Sequence, residues 1–158
     1  MGATTFVGVD PNPEHLGLTR TFKAGAAIYY GAVVCYADAG TSNTVIQATT
    51  SLGMPVGVAM NSATASGEDV TVAMIGSVLT VMCSATDTSI DAGHWVTPGT
   101  VAGTIIEFDP AIGAHAAALS TGAFPIGMTL DDTTAGSGTT GATVKIVVCP
   151  LPVFVASS

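Results

Sequence analysis

Charged side chains are scarce in this 158-residue sequence: Asp, Glu, Lys and Arg together make up 9% of it, against roughly 25% in an ordinary soluble domain. Thr, Ser, Gly and Ala must therefore cover much of the surface, and so weakly solvated a surface is expected to face other protein chains. Basic residues are scarcest: Arg20, Lys23 and Lys145 stand against 11 acidic residues, a net charge of −8. Three cations cannot supply the counterion-releasing footprint that holds a nucleic acid, and anionic membrane surfaces would repel the chain. Long apolar runs are also lacking. The most apolar stretch, 26–37, is interrupted by Gly31 and falls short of the roughly 20 apolar residues that span a bilayer. No Lys or Arg precedes an apolar run at the amino terminus, so no secretory leader is expected.

Chemistry-bearing groupings are missing too. Cys35, Cys83 and Cys149 are odd in number, widely spaced, and each follows an apolar segment. They are expected to be buried free thiols, in keeping with synthesis in a reducing cytoplasm. His15, His94 and His115 form no His-Glu-x-x-His pair and lie near no cysteine at zinc-ligand spacing. There is no Gly-x-Ser-x-Gly elbow. The run from Gly136 to Gly141 lacks the Lys-Ser/Thr of a phosphate loop and is read as a hairpin loop. Asp131-Asp132 beside it is either a hard-cation ligand pair or, more simply, a solvated acidic turn. The expectation is a protein that is no enzyme, with no catalytic residue, metal or cofactor.

What is present is a β pattern. In 54–76 an apolar strand follows Pro55, a small-residue turn ends at Ser66-Gly67, and a second strand alternates from Val70 to Ile75. A variant recurs over 124–148, where Pro-Ile-Gly-Met matches Pro-Val-Gly-Val and Ala-Thr-Val-Lys-Ile-Val-Val matches Asp-Val-Thr-Val-Ala-Met-Ile. Upstream, Asp91-Ala92-Gly93-His94-Trp95-Val96-Thr97-Pro98-Gly99 aligns with Lys23-Ala24-Gly25-Ala26-Ala27-Ile28-Tyr29-Tyr30-Gly31, with both glycines in register. Internal similarity of this kind predicts a duplicated unit, with pseudo-repeats at about 23–83 and 91–150. Further short strands are predicted at 22–25, 26–30, 32–36, 44–48 and 78–82, with glycines between β-branched and aromatic residues. Residues 1–21, with Pro11 and Pro13, read as an extended arm or a frayed terminus; 22–158 form one β domain. The segment 109–122 departs from the repeat and has room for a short helical turn, and Pro150 and Pro152 make the apolar tail an edge or an arm. The fold class predicted is all-β: a compact barrel or sandwich of short strands in two similar halves, with an extended N-terminal arm.

Aromatic residues make up only 6% of the chain. Tyr29 and Tyr30 precede Gly31, and Trp95 precedes the matched Gly99, in corresponding segments of the two copies. Such rings pack a core, anchor a protein interface or stack on a sugar. With Phe6 and Val7 of the arm and Val153 and Phe154 of the tail, they are the candidate partner-contact residues.

The run Lys-Ala-Gly-Ala-Ala-Ile-Tyr-Tyr-Gly-Ala-Val-Val, followed by Pro-Val-Gly-Val-Ala, Ala-Ser-Gly-Glu-Asp-Val-Thr-Val-Ala-Met-Ile-Gly and Asp-Ala-Gly-His-Trp-Val-Thr-Pro-Gly, resembles tailed-bacteriophage capsid decoration, or cement, proteins. The resemblance covers about 23–148 and rests on glycine spacing and strand pattern; the Ala-rich segment around His115 and the Pro-rich arm depart from it. It implies a β-rich virion protein, made in the host cytoplasm, that binds the outer surface of a phage head and stabilises it. The implied partner is the major capsid protein; further copies of the chain are also expected as partners, in a trimer, with a dimer as the alternative. A carbohydrate-binding or adhesin module of a fibre is the alternative.

Overall fold

A computed structural model describes residues 10–38, 43–50, 54–84, 90–108, 124–132 and 142–150. Among them the protein is all-β. The strands are β1 (Thr19–Ala24), β2 (Val33–Tyr36), β3 (Thr44–Gln47), β4 (Pro55–Ala59), β5 (Asp69–Ala73), β6 (Val78–Met82), β7 (Trp95–Pro98), β8 (Ile105–Glu107), β9 (Gly127–Thr129) and β10 (Thr143–Val148). Period-two alternation places their side chains. In β10, Val144, Ile146 and Val148 are buried, while Thr143 is exposed and Lys145 and Val147 are half-buried.

β1 to β5 close into a barrel in the order β1-β3-β2-β4-β5, with β5 returning to β1. β6 to β10 form a second five-stranded sheet, β6-β10-β9-β7-β8. The barrel is filled by Phe22, Ile28, Val34, Val45, Val56, Val70 and Val72. A second core joins the halves: Val33, Cys35, Ala48, Val58 and Ala73 of the first belong to one buried cluster with Leu79, Val81, Val96, Ile105, Ile126, Ile146 and Val148 of the second. Both faces of β2 and β4 are therefore covered, so Val33-Val34-Cys35 and Pro55–Ala59 are apolar without a break.

The second sheet repeats the barrel's strand order, and the ladders give the correspondence residue by residue. Phe22 pairs with Val70 as Val81 pairs with Val144; Val34 with Gly57 as Val96 with Gly127; Val58 with Ala73 as Met128 with Val147. Pro-Val-Gly-Val and Pro-Ile-Gly-Met are thus the same piece of backbone. A Cβ on Gly57 would lie 2.1 Å from the Ala73 carbonyl oxygen, and one on Gly127 would lie 2.1 Å from that of Val147. The glycine is required in both halves by the same close approach.

Three expectations need correction. The equivalent of Gly93 is Gly31, not Gly25. Both have positive φ, 83° and 78°, and the Gly31 N–H donates to Ala59 as the Gly93 N–H donates to Thr129. The chain has glycines at 25 and 31 and again at 93 and 99, so the sequence offers two in-register matches, and sheet register selects the other one. Trp95 consequently corresponds to Val33, not to a residue near Tyr29. Second, 26–30 is not a strand: Ile28 makes only an isolated bridge with Ala63. Third, Cys35 and Cys83 are buried free thiols, but Cys149 is only half-buried.

β1 begins at Thr19. Before it, the Pro11 carbonyl accepts from the Thr80 N–H (2.8 Å), and Val78 exchanges hydrogen bonds with Glu14 and His15. The segment leading into β1 thus lies along β6 of the other half. The suggested helical turn in 109–122, the Gly136–Gly141 loop and the apolar tail lie outside the described residues.

Candidate interaction surface

The sequence-predicted aromatic residues are divided between the halves. Tyr29 and Tyr30 lie in the β1–β2 connection, where Tyr29 packs against the barrel core. The Tyr30 N–H donates to Ser62 Oγ at 3.2 Å, and a hydrogen bond from its hydroxyl to the Asp10 carboxylate, aided by burial, holds its pKa above the usual tyrosine value. Both tyrosines thus hold the first half together. Trp95 opens β7 with Met128 as its cross-strand partner and stays half-buried. Phe6, Val7, Val153 and Phe154 lie outside the described residues.

The structure exposes a different set of apolar side chains, which the aromatic search passed over. Leu16 is 48% exposed, Leu18 56% and Ile75 53%. The Leu18 N–H donates to the Ile75 carbonyl at 3.2 Å, and the Met74 N–H donates to the Leu18 carbonyl at 2.7 Å. Gly17 lets the two backbones touch, since a Cβ there would lie within 2.4 Å of the Ile75 carbonyl oxygen. These residues form one apolar end of the barrel, beside the turn from β5 into β6. Alternation past the inward-facing Val70, Val72 and Met74 puts Ile75 on the opposite face, but that face also carries the fully buried Ala73, so alternation alone does not mark Ile75 as exposed.

All three basic side chains are already engaged. The Arg20 guanidinium sits 5.1 Å from the centroid of the Phe22 ring. Lys23 pairs with Asp69 at 2.7 Å, and Lys145 pairs with Glu14 at 2.5 Å and Asp131 at 3.5 Å. The hydrogen bond to Glu14 is the main reason that the Lys145 pKa is raised. The uncompensated surface charge is therefore acidic. Asp132 accepts from the Ala92 N–H at 2.6 Å, so Asp131 and Asp132 face different partners, as in an acidic turn. Among the described residues, no group of three or more His, Cys, Asp or Glu side chains is placed to hold a metal ion. His94 Nδ1 lies 2.5 Å from Glu107 Oε1, a polar pair beside Trp95 in sequence and across the β7–β8 ladder.

What this arrangement offers is surface: one apolar barrel end, and an aromatic residue on the outer face of the second sheet. No family model matches the chain, and no curated protein matches it. Its fold is similar to the crystal structure of the head fiber gp8.5 N base of bacteriophage phi29, with a TM-score of 0.52 and 17% sequence identity, over 84% of this chain and 93% of that one. At that identity the match shows a shared fold.

Proposed function

We propose that this chain is a structural protein of a phage virion that binds the outer surface of the capsid, through the major capsid protein, and stabilises it without catalysing a reaction. The observation that carries the reading is the fold likeness to a head fiber base, which spans nearly all of that chain. Composition supports it: a neutral Thr- and Ala-rich surface suits lasting contact with other subunits, and a net charge of −8 suits a protein that does not hold nucleic acid. Self-association would add to the effect. An oligomer touching several capsid subunits makes each later contact intramolecular, so modest interfaces hold firmly.

The test is co-sedimentation of the purified protein with expanded, DNA-free phage heads, together with a heat-release assay of filled heads. Binding, and retention of DNA to higher temperature, is the expected result. Absence from the head pellets and from purified virions would overturn the proposal.

A second reading, a carbohydrate-binding module of a fibre, is favoured by the half-exposed Trp95, because an aromatic face stacks on a sugar ring. Glycan-array binding that Trp95→Ala abolishes would select it.

A further inference from the structure

The last strand of the second half ends beside the apolar end of the barrel. β10 meets the turn that follows Ile75: the Val148 carbonyl accepts from the Gly76 N–H at 2.9 Å, and the Val148 N–H donates to the Ser77 carbonyl at 2.8 Å. The stretch before β1 touches the same turn. Leu18 is bonded to Ile75, and a Cβ on Gly17 would lie 2.9 Å from the Gly76 Cα. Leu16, Leu18 and Ile75, each about half exposed, therefore flank the point at which the chain passes beyond β10.

The sequence that follows is suited to such a surface. Residues 151–155 read Leu-Pro-Val-Phe-Val, and no charged residue occurs after Lys145. Four of those five side chains are large and apolar, and a solvated position would leave them all in water. Pro150 and Pro152 lack the N–H that a longer β10 ladder would need, so an extended chain leaving the sheet is expected there. Extended at about 3.1 Å per residue, five residues reach about 15 Å, roughly three strand spacings. The patch is two backbones wide, since Leu18 bonds directly to Ile75.

We propose that the apolar segment 151–155 packs on the Leu16–Leu18–Ile75 end of the barrel in the same molecule, tying the end of the second half to the first. Two other occupants are less well matched. Followed backwards, the stretch before β1 runs away from this end: Leu18 lies against Ile75, Glu14 and His15 against Val78, and Pro11 against Thr80. A second copy would have to displace a tethered segment. With so short a tether the effective concentration is about millimolar, above that of separate molecules in a dilute solution. The inference stands independently of the virion reading, since it concerns only contacts within one chain.

Methyl NMR on the full-length protein tests it. In the wild type, nuclear Overhauser contacts are expected between the Phe154 ring and the Leu18 and Ile75 methyl groups. They should persist on dilution and be absent from isotope-filtered spectra of mixed labelled and unlabelled protein. Val153→Asp/Phe154→Asp should abolish them and expose the Leu16, Leu18 and Ile75 methyls to a soluble paramagnetic agent, while the methyl resonances of the core residues Val58 and Leu79 stay in place. Leu18→Glu/Ile75→Glu, at positions exposed enough to leave the fold intact, should abolish amide-exchange protection at 153–155. Emission from the single tryptophan, Trp95, should be the same in all three proteins. Contacts found only between molecules would overturn the proposal in favour of a second copy. Trp95 emission that responds to the tail variant while the Leu18 and Ile75 methyls do not would overturn it in favour of the outer face of the second sheet. Methyls equally accessible in wild type and tail variant, with Trp95 unchanged, would overturn it outright.

Discussion

The barrel and the second sheet share strand order and register but differ in how they end. In the barrel, β1 and β3 pair in parallel through Lys23 with Thr44 and Ala24 with Val45, and the Lys23 N–H donates to the Asn43 carbonyl at 2.7 Å. In the second sheet the matching strands, β6 and β8, meet only at a single bridge, Cys83 with Ile105. The counterpart of Asn43 is Gly103, and both have positive φ, 91° and 82°. The Gly103 carbonyl instead accepts from Val33 of the barrel at 2.9 Å, and its N–H donates to Ala48 at 2.9 Å. One hydrogen-bonding position closes a barrel in the first half and fastens the two halves together in the second. The β6 edge left over is taken by Pro11, Glu14 and His15. Two halves with one strand order thus form one body through the redirected bonds of Gly103.

The severest way to break the equivalence is to fill the shared glycine. Gly57→Ala and Gly127→Ala each drive a methyl group onto a strand carbonyl at 2.1 Å, and backbone cannot swing aside as a side chain can. Each is expected to cost about 3 kcal/mol or more, measured by urea denaturation. Equal losses would make the halves one cooperative unit of equal packing; a mild Gly127→Ala would show that the open sheet relaxes where the closed barrel does not.

Gly103→Ala strikes the difference itself. The φ of +82° disfavours an L side chain, and its Cβ would lie 2.6 Å from Gln47 Oε1 and 2.8 Å from the Ala32 Cβ, so about 2 kcal/mol is expected. Gly93→Ala has a similar φ but open space around it and should cost about 1 kcal/mol. Loss of protection from hydrogen exchange at the amides of Val33 and of residue 103 itself in Gly103→Ala alone would locate the damage at the junction. Equal effects from the two variants would mean that backbone strain, and not the junction, sets the cost.

Alkali tests the shared core from another direction. Burial pushes the Cys35 thiol up from 9.0 to about 11, so the folded state binds that proton more tightly than the unfolded state does. The resulting stabilisation is complete below pH 9 and is lost as pH rises from 9 towards 11. Every tenfold gain in proton affinity on folding amounts to about 1.4 kcal/mol, so the loss is expected to approach about 3 kcal/mol at the top of that range and to be a fraction of it at pH 10. Cys35→Ala should flatten this part of the stability profile; an unchanged alkaline slope would mean that other groups dominate it.

Much of the likeness in strand order between the halves was legible because its causes are local. Pro-x-Gly-x marks a strand whose glycine meets a neighbouring carbonyl, and Val-x-Ile-x-Val marks a strand with one inward face. The fold class followed from these. What was not legible is long-range. The choice between Gly25 and Gly31 as the partner of Gly93 depends on ladders that the chain's own periodicity does not encode, and the mistaken alignment carried Trp95 with it. Leu16 and Leu18 sit in a stretch without strand periodicity, so only contact with the β5–β6 turn reveals them as part of a surface. Aromatic type was a weaker guide to exposure than position: the tyrosines are committed to the first half, and three aliphatic residues form the open patch.

The smallest expected difference between the halves lies in their surface ion pairs. Lys23 and Asp69 face each other across β1 and β5 and are 51% and 65% exposed. Their counterparts in the second sheet are the uncharged Met82 and Thr143, so that ladder holds without an ion pair at this position. Water screens so exposed a pair and its side chains lose rotamer freedom, and Asp69→Asn is expected to cost under about 1 kcal/mol. Glu14→Gln removes the principal partner of Lys145, which also ties the segment before β1 to β10. Its effect is expected to be similarly small on global unfolding but visible as faster hydrogen exchange at Val78 and Thr80, the β6 amides that bond to that segment. If Asp69→Asn instead destabilised the protein as much as Gly103→Ala does, barrel closure would depend on charge rather than on the β1–β3 hydrogen bond of Lys23 with Asn43, and the contrast between the two halves would have to be explained by electrostatics.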